Sequence, residues 1–270
     1  MSEPLPPWAR STLGAPLSWR DDFVAAARFL TRLPLGRFAA PTTGLLARSM
    51  RAFPLVGALV GAIGWAAFVI ASRLGLPGFL AALIAVLATV LATGGLHEDG
   101  LADTADGFGG GEDRARKLAI MRDSRSGAFA ILAIAFSLAL RGGALAALTP
   151  IVIGSIEPGP ALIAAHVVSR AALPILMRVL EPARSDGLGA SAGQPDIAAA
   201  LWCLLFALLA AILCLGAAHG IIAILVTAAF LAGFAALARQ QIGGYTGDVL
   251  GAAQQIGEIA MLLTAAAAAP

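Results

Sequence analysis

The sequence predicts an all-α, polytopic integral membrane bundle of about six to seven transmembrane helices, preceded by an amphipathic interfacial helix. Three observations predict it. Of 270 residues, 59% are hydrophobic and only 13% are charged, against roughly 25% charged in a soluble domain. The apolar residues run in long stretches rich in Ala, Leu and Gly, whereas an outer-membrane barrel would show short alternating segments. The charges collect between those stretches, most densely from Gly94 to Ala130. A formal net charge of +2 is too small to suggest nucleic acid as a partner. Cys203 and Cys214 share one apolar run and read as packing or lipid-facing residues rather than a disulfide framework.

Residues 1–20 hold Pro4, Pro6, Pro7 and Pro16 and no apolar core. They read as a flexible cytosolic N-terminus without a signal peptide, the first span serving as the insertion signal. Residues 21–270 read as one membrane-embedded domain. From Asp21 to Leu33, the residues Phe23, Ala26, Ala27, Leu30 and Leu33 share one helical face, and Pro34 ends the helix. Phe53–Leu74 is the first span, with Gly57 and Gly61 as a close-contact pair. Pro77–Leu96, Ala128–Leu148, Ala161–Leu180, Ile197–Ala218 and Ile221–Ala238 follow. Ile256–Ala269 is short and joins Val249–Ala253 as a weaker seventh span. Arg and Lys cluster before span one and after spans two, four and six, while the opposite side has Arg73 alone. The basic side is therefore expected to face the cytosol.

The candidate chemistry sits in the charged stretch. Asp99, Asp103 and Asp106 stand at i, i+4 and i+7 and share a helix face. Carboxylates so placed repel unless a cation lies between them, and hard oxygen ligands suit Mg²⁺ or Mn²⁺. Such an ion would neutralise a diphosphate during attack at phosphorus. The plain alternative is a solvated acidic helix end. His97 is a candidate base or ligand, and Glu98 points off the aspartate face. Gly107, Gly109, Gly110 and Gly111 read as a flexible turn whose N–H groups could meet phosphate. Arg122, Asp123 and Arg125 precede the third span, where arginines could hold phosphate or simply anchor the positive side. Arg141 and Arg170 lie inside spans, with His166 one turn before Arg170. Intramembrane arginine is costly unless paired or wet, and both are expected to line a polar cavity. Arg184 lies in the polar loop Pro182–Pro195, which falls on the same basic side. A second polar island, Gly243–Asp248, brings Thr246 and Asp248, and Asp248 could complete a cation site from another helix.

The segments GGLHEDGLADTADGFGG (94–110), KLAIMRDSRSGAFA (117–130), ARSDGLGAS (183–191) and GGYTGDVLGA (243–252), in that order, resemble the cobalamin synthase family, the adenosylcobinamide-GDP ribazoletransferases. ARFLTRLPL and FPLVGALVG, nearer the N-terminus, are similar to it as well. The resemblance spans roughly Phe23 to Glu258. Glu98 departs from it, standing where an apolar residue is more usual. The resemblance implies a Mg²⁺-dependent transfer of the adenosylcobinamide-phosphate group from adenosylcobinamide-GDP to α-ribazole or its 5′-phosphate, with release of GMP. It implies a multi-pass protein of the bacterial cytoplasmic (inner) membrane with its site toward the cytosol. Its implied acidic residues are Asp99, Asp103, Asp106 and Asp248. The lipid bilayer is the expected partner, and the sequence leaves a homo-oligomer open. Two rivals remain in view. CDP-alcohol phosphotransferases want Ala-Arg soon after the first Asp-Gly and an aspartate four residues past the third, but Leu101-Ala102 and Gly110 stand there. A transporter would show inverted repeats and midplane acids.

Overall fold

Apolar runs punctuated by Gly, Pro and Asp become the helices of this chain. A computed structural model describes residues 18–35, 43–148, 157–187, 189 and 192–268. Among these the helices are α1 (Trp19–Leu30), α2 (Thr43–Ser49), α3 (Phe53–Arg73), α4 (Gly78–Thr93), α5 (Leu96–Gly110), α6 (Arg114–Ile120), α7 (Ala128–Ala147), α8 (Pro158–Val179), α9 (Ile197–Leu215), α10 (Ala217–Ile242) and α11 (Gly247–Ala267). No strand occurs among the described residues, only an isolated bridge between Pro182 and Tyr245. Six helical stretches are long and apolar enough to cross a membrane, and α4 with α5 makes a seventh if that bent pair is one span. Most of residues 1–20, and Leu188, Ala190 and Ser191 of the third motif, lie outside the described residues.

Side-chain oxygens start several helices. Ser18, Asp113, Asp196 and Thr246 each accept a backbone N–H of the first turn, which satisfies a donor that the helix cannot. Gly94 and Gly95 stop α4 at φ +67° and +71°, a conformation that costs glycine nothing and other residues strain. There the chain turns 91° into α5. The acidic helix therefore leaves the axis of α4 and lies against α7 and α11.

Two expectations are extended and one, the glycine turn, is revised. The seventh span is one continuous helix, α11, and is among the more buried. Its Gln254, Gln255 and Glu258 lowered the apolar signal because they face other helices and not lipid. Gly107, Gly109 and Gly110 are inside α5, so their amides belong to the helix ladder and form no phosphate-binding turn. And α1 does more than lie at an interface. Asp22 is fully buried and accepts from Arg48 Nε at 3.0 Å and Arg51 Nε at 2.7 Å, which fastens α1 onto α2 and the 3-10 turn Met50–Ala52. The Gly57–Gly61 pair is used within the chain: a Cβ on Gly57 would collide with the His166 carbonyl of α8. Cys203 is fully buried, and its thiol donates to the Met50 carbonyl at 3.3 Å.

Candidate active site

The site forms where α5, α8 and α11 meet under α1. Gly100 lets α5 and α11 touch, since a Cβ there would stand 2.8 Å from the Asp248 carbonyl oxygen and 3.1 Å from Gly251 Cα. Two backbone bonds fix the second island. Tyr245 N–H donates to Glu181 O at 2.9 Å, and Ala183 N–H donates to Tyr245 O at 2.8 Å. They bring Arg184 beside Asp248, with Nη2 to Oδ2 at 3.4 Å. The Thr246 hydroxyl caps α11 and also donates to Asp248 Oδ2 at 3.1 Å. Burial and nearby Glu181 push the Tyr245 phenol above its ordinary pKa, so this ring packs as a neutral group. Arg114, which the sequence marked only as positive-side charge, donates to the carbonyls of Ile242 and Ala183 and ties three loops together.

A cavity of about 330 Å³ opens here, and His97, Asp99, Arg184 and Asp248 line its polar end. His97 Nε2 and Arg184 Nη1 are buried without a hydrogen-bond partner among the described residues. A guanidinium N–H left free beside a cavity is suited to an anionic oxygen. Asp103 continues the face of α5 one turn on. Asp99, Asp248 and Asp106 are the acidic charges acting on it, opposed by Arg184. The three aspartates of α5 and Asp248 thus lie near enough to act on one another electrostatically.

Asp106 has a second occupation. Its carboxylate accepts from Gly127 N–H and from Ala130 N–H, the latter at 2.9 Å, and so caps α7. Arg122, Asp123 and Arg125 do not line the cavity. Arg122 pairs with Asp186 at 2.6 Å, and Arg125 pairs with Asp123 at 2.6 Å, Asp123 being half-buried and the other three exposed. The Arg125 guanidinium holds the Asp123 carboxyl down to about 2.

The expectation for Arg141 and Arg170 is corrected. Both are 1% exposed and neither lines the cavity. Arg141 Nη1 lies 3.0 Å from Glu98 and 3.2 Å from Glu258. Arg170 Nη1 meets His166 Nδ1 at 2.8 Å, and that same nitrogen stands 3.2 Å from Glu258. Gln254 donates to Glu258 and to Ser169, and Gln255 donates to Glu98. An arginine in a low-dielectric interior needs a counter-charge, and here protein carboxylates supply it. Glu98 does point off the aspartate face, and its task is to neutralise Arg141. No alternation of apolar residues could signal that pairing, since its members lie on four helices.

Asp99, Asp103 and Asp248 offer carboxylate oxygen, the ligand type that suits a hard divalent cation. Among the described residues, no three His, Cys, Asp or Glu side chains already converge as chelating ligands. Asp99, Asp103 and Asp248 are the carboxylates not committed to capping a neighbouring helix, and Arg184 is the cation a metal would supplement.

A helical membrane bundle with carboxylates, a histidine and an arginine around a cavity at one end defines an integral membrane enzyme for an anionic substrate. The chain belongs to the cobalamin-5-phosphate synthase family, whose model matches residues 22–266. It is 47% identical over 248 residues to the adenosylcobinamide-GDP ribazoletransferase of Bradyrhizobium diazoefficiens, covering 91% of this chain and 93% of that one. The protein of the same name from Mesorhizobium japonicum is 47% identical, covering 92% and 93%. That from Xanthobacter autotrophicus is 48% identical, covering 90% and 94%. No solved structure matches the chain.

Proposed function

We propose that this chain is an adenosylcobinamide-GDP ribazoletransferase, carrying out the cobalamin synthase step of vitamin B12 biosynthesis. A ribose hydroxyl of α-ribazole, or of its 5′-phosphate, attacks the phosphorus that bears the cobinamide. A new P–O bond forms, the P–O bond to the GMP phosphate breaks, GMP leaves and one proton is released. The observation that carries the reading is the pairing of family membership with the polar end of the cavity. There His97, Asp99, Arg184 and Asp248 come together from α5, the Glu181–Asp196 loop and α11.

The roles follow from the geometry. His97 lines the cavity, its Nε2 is buried without a hydrogen-bond partner among the described residues, and in this reading it takes the hydroxyl proton as general base. Arg184 binds a diphosphate oxygen through Nη1 and is steadied by Asp248. Thr246 holds the Asp248 carboxylate in place. Mg²⁺ belongs among Asp99, Asp103 and Asp248, with Asp106 at the margin, and when bound it supplies charge neutralisation for the diphosphate. The excess of Arg and Lys before span one and after spans two, four and six supports a site that faces the cytosol at the bacterial inner membrane. Purified protein in detergent, given adenosylcobinamide-GDP, α-ribazole and Mg²⁺, should release GMP only when all three are present. GMP release without α-ribazole, or none in the complete mixture, would refute the reaction.

A further inference from the structure

The cavity lining is mixed in character. Beside the polar groups it includes Phe29, Leu30, Met50, Phe53, Leu173 and Met177, drawn from α1, the 3-10 turn, α3 and α8, and these six pack together as its apolar end. The Phe29 and Phe53 rings lie nearly parallel, 15° apart, with centroids separated by 6.0 Å. All but Phe29 are at most 4% exposed. This end is therefore a formed part of the interior and not a groove open to lipid. At about 330 Å³ the space stands near the bottom of the ~300–1,000 Å³ range of small-molecule sites. It suits one nucleoside and is far too small for a corrin ring.

Two nucleosides take part in the proposed reaction, and their bases differ in what they require. Guanine carries donors and acceptors around its edge, and burying these against Phe, Leu and Met leaves them unpaired, which is costly. A dimethylbenzimidazole presents an aromatic bicycle, two methyl groups and a single ring nitrogen, and it gains from stacking and apolar contact. We infer that the apolar end is the base subsite of the acceptor. The benzimidazole lies among Phe29, Phe53, Met50 and Met177, and the ribose faces His97 and Asp99. The corrinoid remains outside the cavity. The inference rests on the ribazoletransferase reading. It makes α1 a wall of the substrate site and makes Met177, in that apolar cluster, a determinant of which base is accepted.

Two substitutions test it from opposite directions, with KM measured separately for each substrate. Met177→Phe fills the apolar end. It should raise KM for α-ribazole by about tenfold or more, while KM for adenosylcobinamide-GDP stays within about twofold. Met177→Ala enlarges that end and should shift kcat/KM toward ribosides of bases larger than dimethylbenzimidazole by about fivefold or more. Equilibrium binding of α-ribazole alone to wild type and to both variants provides a readout without turnover, and Met177→Ala covers the case in which Met177→Phe fails to fold. A raised KM for the donor with an unchanged KM for α-ribazole would assign the space to guanosine and overturn the inference. So would α-ribazole binding that is unaltered in both variants. If wild type binds α-ribazole and Met177→Phe does not, yet neither releases GMP, the subsite stands and the reaction fails.

Discussion

Replacing Arg141 by Leu separates a structural arginine from a substrate-binding one. The cluster around it carries two positive groups, Arg141 and Arg170, and two negative ones, Glu98 and Glu258, and is closed off from solvent. Arg141→Leu would leave two buried carboxylates facing one arginine. Removing one partner of a buried pair costs about 3–5 kcal/mol, because the remaining charge is stranded. Glu98→Gln should cost less, about 1–3 kcal/mol, because Arg141 keeps Glu258 and the new amide oxygen can still accept. The double variant Arg141→Leu with Glu98→Leu restores one-to-one balance and should be more stable than Arg141→Leu alone. The assay is the unfolding free energy of purified protein titrated with a denaturing detergent in mixed micelles, read beside donor binding. Wild-type stability in Arg141→Leu, together with lost binding of adenosylcobinamide-GDP, would refute the ion-pair account and return Arg141 to the substrate.

Asp103→Asn and Asp248→Asn should each lower turnover by orders of magnitude and raise the Mg²⁺ requirement, since metal stabilisation is worth several kcal/mol; near-normal rates at limiting Mg²⁺ would reduce these acids to a solvated helix face. Asp106→Asn should also lower unfolding stability by about 1 kcal/mol, because it weakens the cap of α7, and an unchanged unfolding free energy would rule out that role. The folded pKa of Asp123 is depressed to about 2 from 3.8, so its pair with Arg125 contributes above the ordinary value and is lost as pH falls through about 2. An infrared titration should accordingly find that carboxylate still ionised near pH 3, and protonation near its ordinary value would mean the pair does not form. Cysteines introduced at Gly110 and Gly189 should react with an impermeant thiol reagent only from the cytosolic side, and labelling from outside intact cells would reverse the orientation.

The sequence made the spans legible because a long apolar run has few other uses. It made the aspartate face legible because 3.6 residues per turn places Asp99, Asp103 and Asp106 together whatever surrounds them. What it hid depends on contacts between helices. Arg141 and Arg170 looked alone in their own spans, and their counter-charges arrive from α5 and α11. Helix α11 looked weak because Gln254, Gln255 and Glu258, which lower its hydropathy, belong to the buried polar cluster around the arginines. The second role of Asp106 required knowing that the N-terminus of α7 returns to it across 21 residues. The apolar end of the cavity gathers side chains from four elements, and no local pattern marks Met50 or Met177 as different from any other core methionine.

The placement of Glu258 sets an order for assembly in the membrane. Ribosomes deliver α7 and α8, with Arg141 and Arg170, well before α11, the last of the described helices. Through that interval Glu98 is the only one of the two carboxylates already made, so the nascent bundle holds two intramembrane cations against one anion. Such an intermediate is disfavoured in hydrocarbon and is expected to remain loosely packed, in contact with water or the insertion machinery. Arrival of α11 brings the missing charge: Glu258 neutralises the cluster while Asp248, nearer the start of the same helix, completes the polar end of the cavity. Compaction of the bundle and assembly of the active site are thereby made one event, and a chain truncated before α11 should be recognised by the cell's quality control as unfinished.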